Sequence, residues 1–190
     1  MDIIDLRLAK LSHNRDRDSF EQLVILYKDS LFNLGYRMLN NRLDAEDIVQ
    51  ETFLRAYKHY DRFDGVHKFS TWIYQIGINL CIDWLRRRKL RYSLDARTYD
   101  GDGVELYDRT PGQNPDPERE ALLKETHELV YKAIDSLPHN YKSIVVLRYL
   151  HELSLNEISV IVAMPVTTIK TRIHRGREFL RKKLYKEYMF

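Results

Sequence analysis

The sequence predicts an all-α fold built as two small helical domains joined by a flexible acidic linker. Three observations predict it. Apolar residues recur at helical spacing over long stretches on both sides of the middle of the chain. Only 7 Gly and 5 Pro occur in 190 residues, which favours helices over turn-rich structure. Between the periodic stretches, residues 93–117 (SLDARTYDGDGVELYDRTPGQNPDP) carry Gly, Pro and acids with no sustained period. A structureless stretch of that length reads as a linker rather than an internal loop. It divides the chain into domains at 1–92 and 118–190.

The elements follow in order. Residues 16–40 place Phe20, Leu23, Val24, Tyr27, Leu31 and Leu34 at helical spacing, and Asn40 and Asn41 interrupt them. Asp44 is positioned to cap a second helix, with Asp47 three residues on as a weak capping box, and that helix runs to about Tyr60. The stretch RFDGVHK at 62–68 reads as a loop. A third helix is expected from about Phe69 to Arg91. Phe69, Trp72, Ile73, Ile76 and Leu80 form its core seam, while Thr71, Gln75, Asn79, Asp83 and Arg86 lie on a separate polar stripe. Beyond the linker, Pro117 suits the first turn of a fourth helix. Pro138 ends that helix and opens a fifth, to about Leu150.

The last third is the most informative. Ser154 and Glu157 form a capping box for a short helix, and Ala163-Met164-Pro165 supplies a turn. In the basic helix that follows, Val166, Ile169, Ile173, Leu180 and Leu184 share one face and should pack inward. Lys170, Thr171, His174, Arg175 and Glu178 share the other, and Arg172, Arg177, Arg181, Lys182 and Lys183 flank it. This is the layout of a helix-turn-helix, which lays its second helix in the major groove of duplex DNA. Hydrogen-bonding groups at successive turns suit base contacts, and the flanking cations suit phosphates.

Net charge is only +3, but the charge is segregated. Residues 170–186 hold eight Lys/Arg against one acid, and residues 93–118 hold seven acids against two bases. The single cysteine, Cys81, excludes an internal disulfide and reads as a small buried hydrophobe, which fits a reducing cytoplasm. The N-terminus does not read as a signal peptide, and no apolar run approaches the roughly 20 residues that cross a bilayer. A soluble, intracellular protein with no membrane insertion is expected. The seven histidines are scattered without partners at metal-ligand spacing, and Gly101-Asp102-Gly103 sits among acids, wrong for cradling phosphate. With no nucleophile beside a base, the expectation is no enzyme, no metal and no cofactor.

SLNEISVIVAMPVTTIKTRIHRGREFLRKKL resembles the promoter-reading motif of bacterial sigma factors of the extracytoplasmic-function (ECF) group. Asp44-Ala45-Glu46-Asp47-Ile48-Val49-Gln50-Glu51-Thr52-Phe53-Leu54-Arg55-Ala56 resembles the segment with which these factors dock on core RNA polymerase. Phe69–Leu80, with Asp83 and the run Arg86-Arg87-Arg88-Lys89, is similar to their strand-opening helix. The wording is nearest the sigma-W-like subgroup. The resemblance implies that Asp47, Gln50, Glu51 and Leu54 face the polymerase. It implies that Asp64, His67 and Lys68 of the loop, with Thr71, Gln75, Asn79, Asp83, Arg86 and Arg87, read and melt the minus-ten element. Lys170, Thr171, His174 and Arg175 would face bases of the minus-thirty-five element, with Thr168, Arg172 and Arg177 beside them. A membrane-anchored anti-sigma partner is implied as well. The linker is either a passive tether or a segment threading a nucleic-acid channel of the polymerase.

Departures from the family pattern are Ser159 for Ala, Ala163 for Gly, Thr167 for Gly, and Gln75 where many relatives carry Arg. Ala163 implies a turn that does not rest on a glycine's left-handed conformation. Phe69 and Trp72 read as core rather than as base-stacking rings, and Tyr74 is assigned to neither role. Two other classes fit parts of the chain. One is a stand-alone helix-turn-helix regulator with an N-terminal sensing domain, which would not capture core polymerase. The other is a protein-interaction adaptor indifferent to Arg175→Ala.

Overall fold

A computed structural model of the chain describes residues 17–63, 65–94 and 117–188, with side chains over 18–63, 65–88 and 125–186. Among the described residues there is no strand. The helices are α1 (Arg17–Leu39), α2 (Arg42–Lys58), α3 (Phe69–Leu94), α4 (Pro117–Asp135), α5 (His139–Tyr149), α6 (Leu155–Ile161) and α7 (Val166–Tyr188), plus a 3-10 turn at Tyr60–Arg62. Most of the linker lies outside the described residues.

The first three helices form one layer-on-layer group. Leu23, Leu31, Leu34 and Met38 of α1 are buried against α2 and α3. Asn40 ends α1 in the left-handed conformation (φ 53°), its amide bonded to the Tyr36 carbonyl at 2.8 Å. The cap of α2 differs from the expected one. Asn41, not Asp44, is the N-cap, and its side chain accepts the Asp44 amide at 3.0 Å. Asp44 therefore sits inside the first turn, where its charge still suits the helix dipole. Ala45, Ile48, Phe53 and Ala56 bury against α1 and α3, and the buried Thr52 hydroxyl donates to the Ile48 carbonyl at 2.6 Å.

Rings close the open end of this group. Tyr60, Phe63, Phe69 and Trp72 lie 5.4–6.1 Å apart, mostly tilted or edge-on, as aromatic quadrupoles prefer. Trp72 and Phe69 are thus core, in line with their place on the apolar seam. The seam itself is broader than expected. Tyr74, Ile78 and Cys81 of α3 are buried alongside Phe69, Ile73 and Leu80, because α3 packs on α1 and α2 on one side and on α6 on another. Burial pushes the Cys81 thiol up to about 12.

In the second group α5 is the central rod. Ile144, Val145, Val146 and Leu147 are all buried, for α1, α6 and α7 surround it. Lys142 is only 3% exposed and pairs with Asp135 of α4 at 2.9 Å, which keeps a buried ammonium from being stranded. The basic helix α7 lies so close to α5 that a Cβ on Gly176 would stand 2.9 Å from Val145 Cγ2.

The capping box of α6 is present. The Ser154 hydroxyl accepts the Glu157 amide at 3.2 Å, and the Ser154 amide donates back to the Glu157 carboxylate at 2.9 Å. The turn after α6 corrects the expectation made for it. Ala163 does adopt the left-handed conformation, at φ 50°. Ser159 compensates: its hydroxyl donates to the Met164 carbonyl at 2.6 Å, and the Met164 amide donates to the Ser159 carbonyl at 3.1 Å. Two departures from the family pattern are therefore coupled in one turn.

Two substitutions test this packing by urea denaturation. Ala163→Gly relieves a Cβ penalty of about 1–2 kcal/mol at a left-handed site, partly offset by glycine's entropy, so a net gain of roughly 0.5–1 kcal/mol is expected. Gly176→Ala forces α7 away from α5 and should cost about 1–3 kcal/mol.

Candidate polymerase and nucleic-acid interfaces

Three faces carry the residues singled out in the sequence. The first is on α2. Asp47 and Gln50 are exposed, and Glu51 is held by Arg55 at 2.7 Å on the same helix. Leu54 stands 66% exposed beside them. An acidic face centred on an uncovered leucine can take a basic, partly apolar protein surface.

The third face is on α7. Lys170, Thr171, His174, Arg175 and Arg177 are exposed along one side, while Ile169 is fully buried and Val166, Ile173 and Leu180 are half-buried on the other. The Thr171 hydroxyl is turned onto its own helix, donating to the Thr167 carbonyl at 3.1 Å. Thr168 is half-buried. Arg172 is half-buried too and reaches back to the Asn140 carbonyl at 3.5 Å, so it braces α7 on α5. Arg181 pairs with Glu178 at 3.0 Å.

The second face is the stripe on α3 and the loop before it, and here the structure differs most from the sequence expectation. His67, Asn79, Arg86 and Arg87 are exposed, and Asp83 pairs with Arg86 at 3.5 Å. Asp64 lies outside the described residues. Of the remaining three members, two are engaged by the helix-turn-helix and one is buried. Lys68 pairs with Glu157 of α6 at 2.7 Å. Gln75 Nε2 donates to the Val160 carbonyl of α6 at 3.3 Å. Thr71, between them on the stripe, is 1% exposed, and its hydroxyl has no hydrogen-bond partner. The polar stripe is thus not a solvated face: α6 lies across its N-terminal half.

Sequence reasoning missed the groups that hold the two halves together. Tyr74 of α3 stacks at a tilt on His151 at 5.0 Å, and the Arg37 guanidinium sits 3.5 Å over the Tyr131 ring, joining α1 to α4. A cleft of about 530 Å³ remains at the seam, with Met38, Ile82, Val162 and Met164 among its apolar walls and Asn79 and Arg172 among its polar ones. Among the described residues no cluster of His, Cys, Asp or Glu could hold a metal, and no helix is long and apolar enough to cross a membrane.

The two helical groups coincide with two family models: sigma-70 region 2 matches residues 23–91 and sigma-70 region 4 matches residues 127–180. The ECF RNA polymerase sigma factor SigW of Bacillus subtilis is 44% identical over 97% of this chain and 98% of its own. SigE of Mycolicibacterium smegmatis is 35% identical over 88% of this chain and 62% of its own, and the sigma-E factor of Escherichia coli K12 is 31% identical over 96% and 95%. The chain belongs to the ECF sigma factors of the sigma-70 family. The fold is shared with CnrH, solved in complex with the cytosolic domain of CnrY (TM-score 0.70, 22% identity, 96% of this chain and 98% of that one). It is shared as well with the sigma factor RpoE, solved with the anti-sigma factor NepR from Bartonella quintana (TM-score 0.70, 21% identity, 87% and 96%). As a sigma factor, the chain directs core RNA polymerase to promoters and takes part in the DNA opening that starts transcription.

Two groups at the seam set a pH response. Burial pushes the His151 imidazole down from 6.5 to about 4, so unfolding takes up a proton below pH 6.5 and stability falls progressively toward pH 4. Burial alone would raise the Glu157 carboxyl, but hydrogen bonds from Lys68 and Ser154 outweigh it and hold the group at about 2 rather than 4.5. Its contribution is complete above pH 4.5 and is lost as pH drops toward 2. The Tm should therefore decline from pH 6.5 downward, with the upper part of the decline flattened by His151→Gln and the part below pH 4.5 reduced by Glu157→Gln.

Proposed function

We propose that the two halves divide the work of promoter recognition. Residues 1–92 bind core polymerase through Asp47, Gln50, Glu51 and Leu54, and residues 118–190 read the minus-thirty-five element through Lys170, Thr171, His174 and Arg175. Arg177 and the neighbouring cations contact phosphates, with Thr168 and Arg172 at the edge of that face. The Asn79 stripe, from Lys68 to Arg87 and with Asp64 and His67 of the preceding loop, captures the opened minus-ten strand. Strand capture needs a positive track and pockets for unstacked bases, and the exposed Arg86 and Arg87 beside Asn79 supply the first of these. The linker at 93–117 joins the two readers. Polymerisation itself belongs to the partner enzyme, in the bacterial cytoplasm where that enzyme works.

The observation that carries this reading is the exposed side of α7, whose opposite side packs closely on α5 at Gly176. Control by an anti-sigma protein, membrane-anchored in its full form, is part of the same proposal. Its support is that the related folds were solved with partners, RpoE with the anti-sigma factor NepR and CnrH with the cytosolic domain of CnrY.

Transcription of a genomic library by purified core polymerase, with and without the chain, tests the reading. New start sites should appear only when the chain is added, and identical start sites in both reactions would refute it. Arg175→Ala should cost about 1–3 kcal/mol of promoter affinity and relax selectivity at one upstream position. Leu54→Lys should weaken capture of core polymerase by about tenfold or more, the scale on which a buried apolar anchor acts, while leaving the helical content intact.

A further inference from the structure

We propose that Thr171 selects a thymine in the upstream promoter element through its methyl group, not its hydroxyl. The proposal rests on the assignment of the exposed side of α7 to the major groove made above. Thr171 is exposed in the second turn of α7, on the side opposite the buried Ile169. The first turns of a recognition helix are the part that reaches base edges. The Thr171 hydroxyl is nevertheless turned back onto its own helix, donating to the Thr167 carbonyl at 3.1 Å. A threonine hydroxyl carries a single proton. With that proton held by the helix, Thr171 has none to give to guanine N7 or O6, adenine N7 or thymine O4.

What remains for the groove is the methyl. The two branches of a threonine leave Cβ in different staggered directions, so an oxygen drawn onto the preceding turn leaves the carbon branch clear of that bond. In the major groove thymine alone presents a methyl group, at C5, and an apolar contact to it is a recognised way of reading that base. Threonine is short, so the contact requires the helix to lie deep in the groove. The neighbours allow it. Position 167, one turn earlier on the same edge, is also an exposed threonine, and the long side chains of Lys170, His174 and Arg175 stand around Thr171. Arg175, one turn on, has the fork that suits a guanine. A helical turn rises about 5.4 Å against about 3.4 Å for a base step, so the thymine should lie about one or two base pairs from that guanine.

The test uses holoenzyme assembled from core polymerase and the full chain, on a promoter mapped with that holoenzyme. Each thymine of the upstream element, on either strand, is replaced singly by deoxyuridine. The replacement removes the C5-methyl and leaves every hydrogen-bonding group of the base in place. Relative affinity for the thymine and deoxyuridine duplexes is measured by competition, with the wild-type chain, Thr171→Val and Thr171→Ser. Valine keeps the methyl branch without the hydroxyl; serine keeps the hydroxyl without the methyl. The position is exposed and the three residues have similar helix propensities, so far-UV circular dichroism should show unchanged helical content.

One deoxyuridine replacement should weaken wild-type binding by about 3- to 5-fold, the scale on which a single buried methyl group acts. Thr171→Val should keep that ratio between the two duplexes, and Thr171→Ser should abolish it. A ratio that survives in Thr171→Ser, or is lost in Thr171→Val, would overturn the methyl contact and return the reading to the hydroxyl or to another residue. Should Arg175→Ala leave the choice of upstream sequence untouched at every position, the assignment of the α7 face itself fails and the thymine contact with it. Upstream selectivity that depends on Arg175, with no deoxyuridine penalty at any position, removes the methyl contact alone.

Discussion

Everything in this fold turns on α3 being buried along two sides. One side packs on α1 and α2 and completes the N-terminal core; another receives α6 from the C-terminal half. A helix with two partners needs apolar residues beyond a single stripe, which is why Tyr74, Ile78 and Cys81 are as buried as Phe69 and Ile73. The same geometry brings the chain's polar stripe up to the seam. Three of the residues proposed to meet a nucleic-acid strand, Lys68, Thr71 and Gln75, are therefore themselves at the seam or buried beside it.

The helix-turn-helix shows how a local rule can be broken and repaired nearby. A glycine after α6 would satisfy the left-handed turn at no steric penalty; Ala163 does not. The Ser159 hydroxyl, reaching the Met164 carbonyl, ties the turn shut from the helix side. On the far side of α7, Gly176 lets the helix approach α5 closely, and Arg172 braces it against the start of α5. The reading face stays exposed because its support comes from beneath. Recognition needs groups held in fixed positions more than it needs many of them.

Much of this was legible in the sequence, for identifiable reasons. The boundaries of α1, α4 and α6 follow from the Asn40-Asn41 break, Pro117, and Ser154 with Glu157, because capping and ring constraints act within a few residues. Helical spacing puts Ala45, Ile48, Val49, Thr52 and Ala56 on the buried side of α2; in the structure Val49 is only half-buried and Phe53 joins the rest. The N-cap of α2 was misplaced by three residues because Asn41 and Asp44 are both good caps, and only the backbone decides between them. The burial of Thr71 was not readable at all. A threonine among polar neighbours gives no sign that it will be buried. Nor could the pairing of Tyr74 with His151 be read, since contacts between separately patterned halves leave no periodicity behind.

Cys81 is the only thiol in the chain, and it is fully buried with its proton held to about pH 12. Thiolate reagents work on accessible, ionised sulfur, so this one is silent to them while the fold persists. The native chain is in effect a cysteine-free background for chemical labelling. A dye or spin label attached through one engineered surface cysteine would report from that point alone, and any modification of the native sulfur would itself announce that α3 had come away from its neighbours.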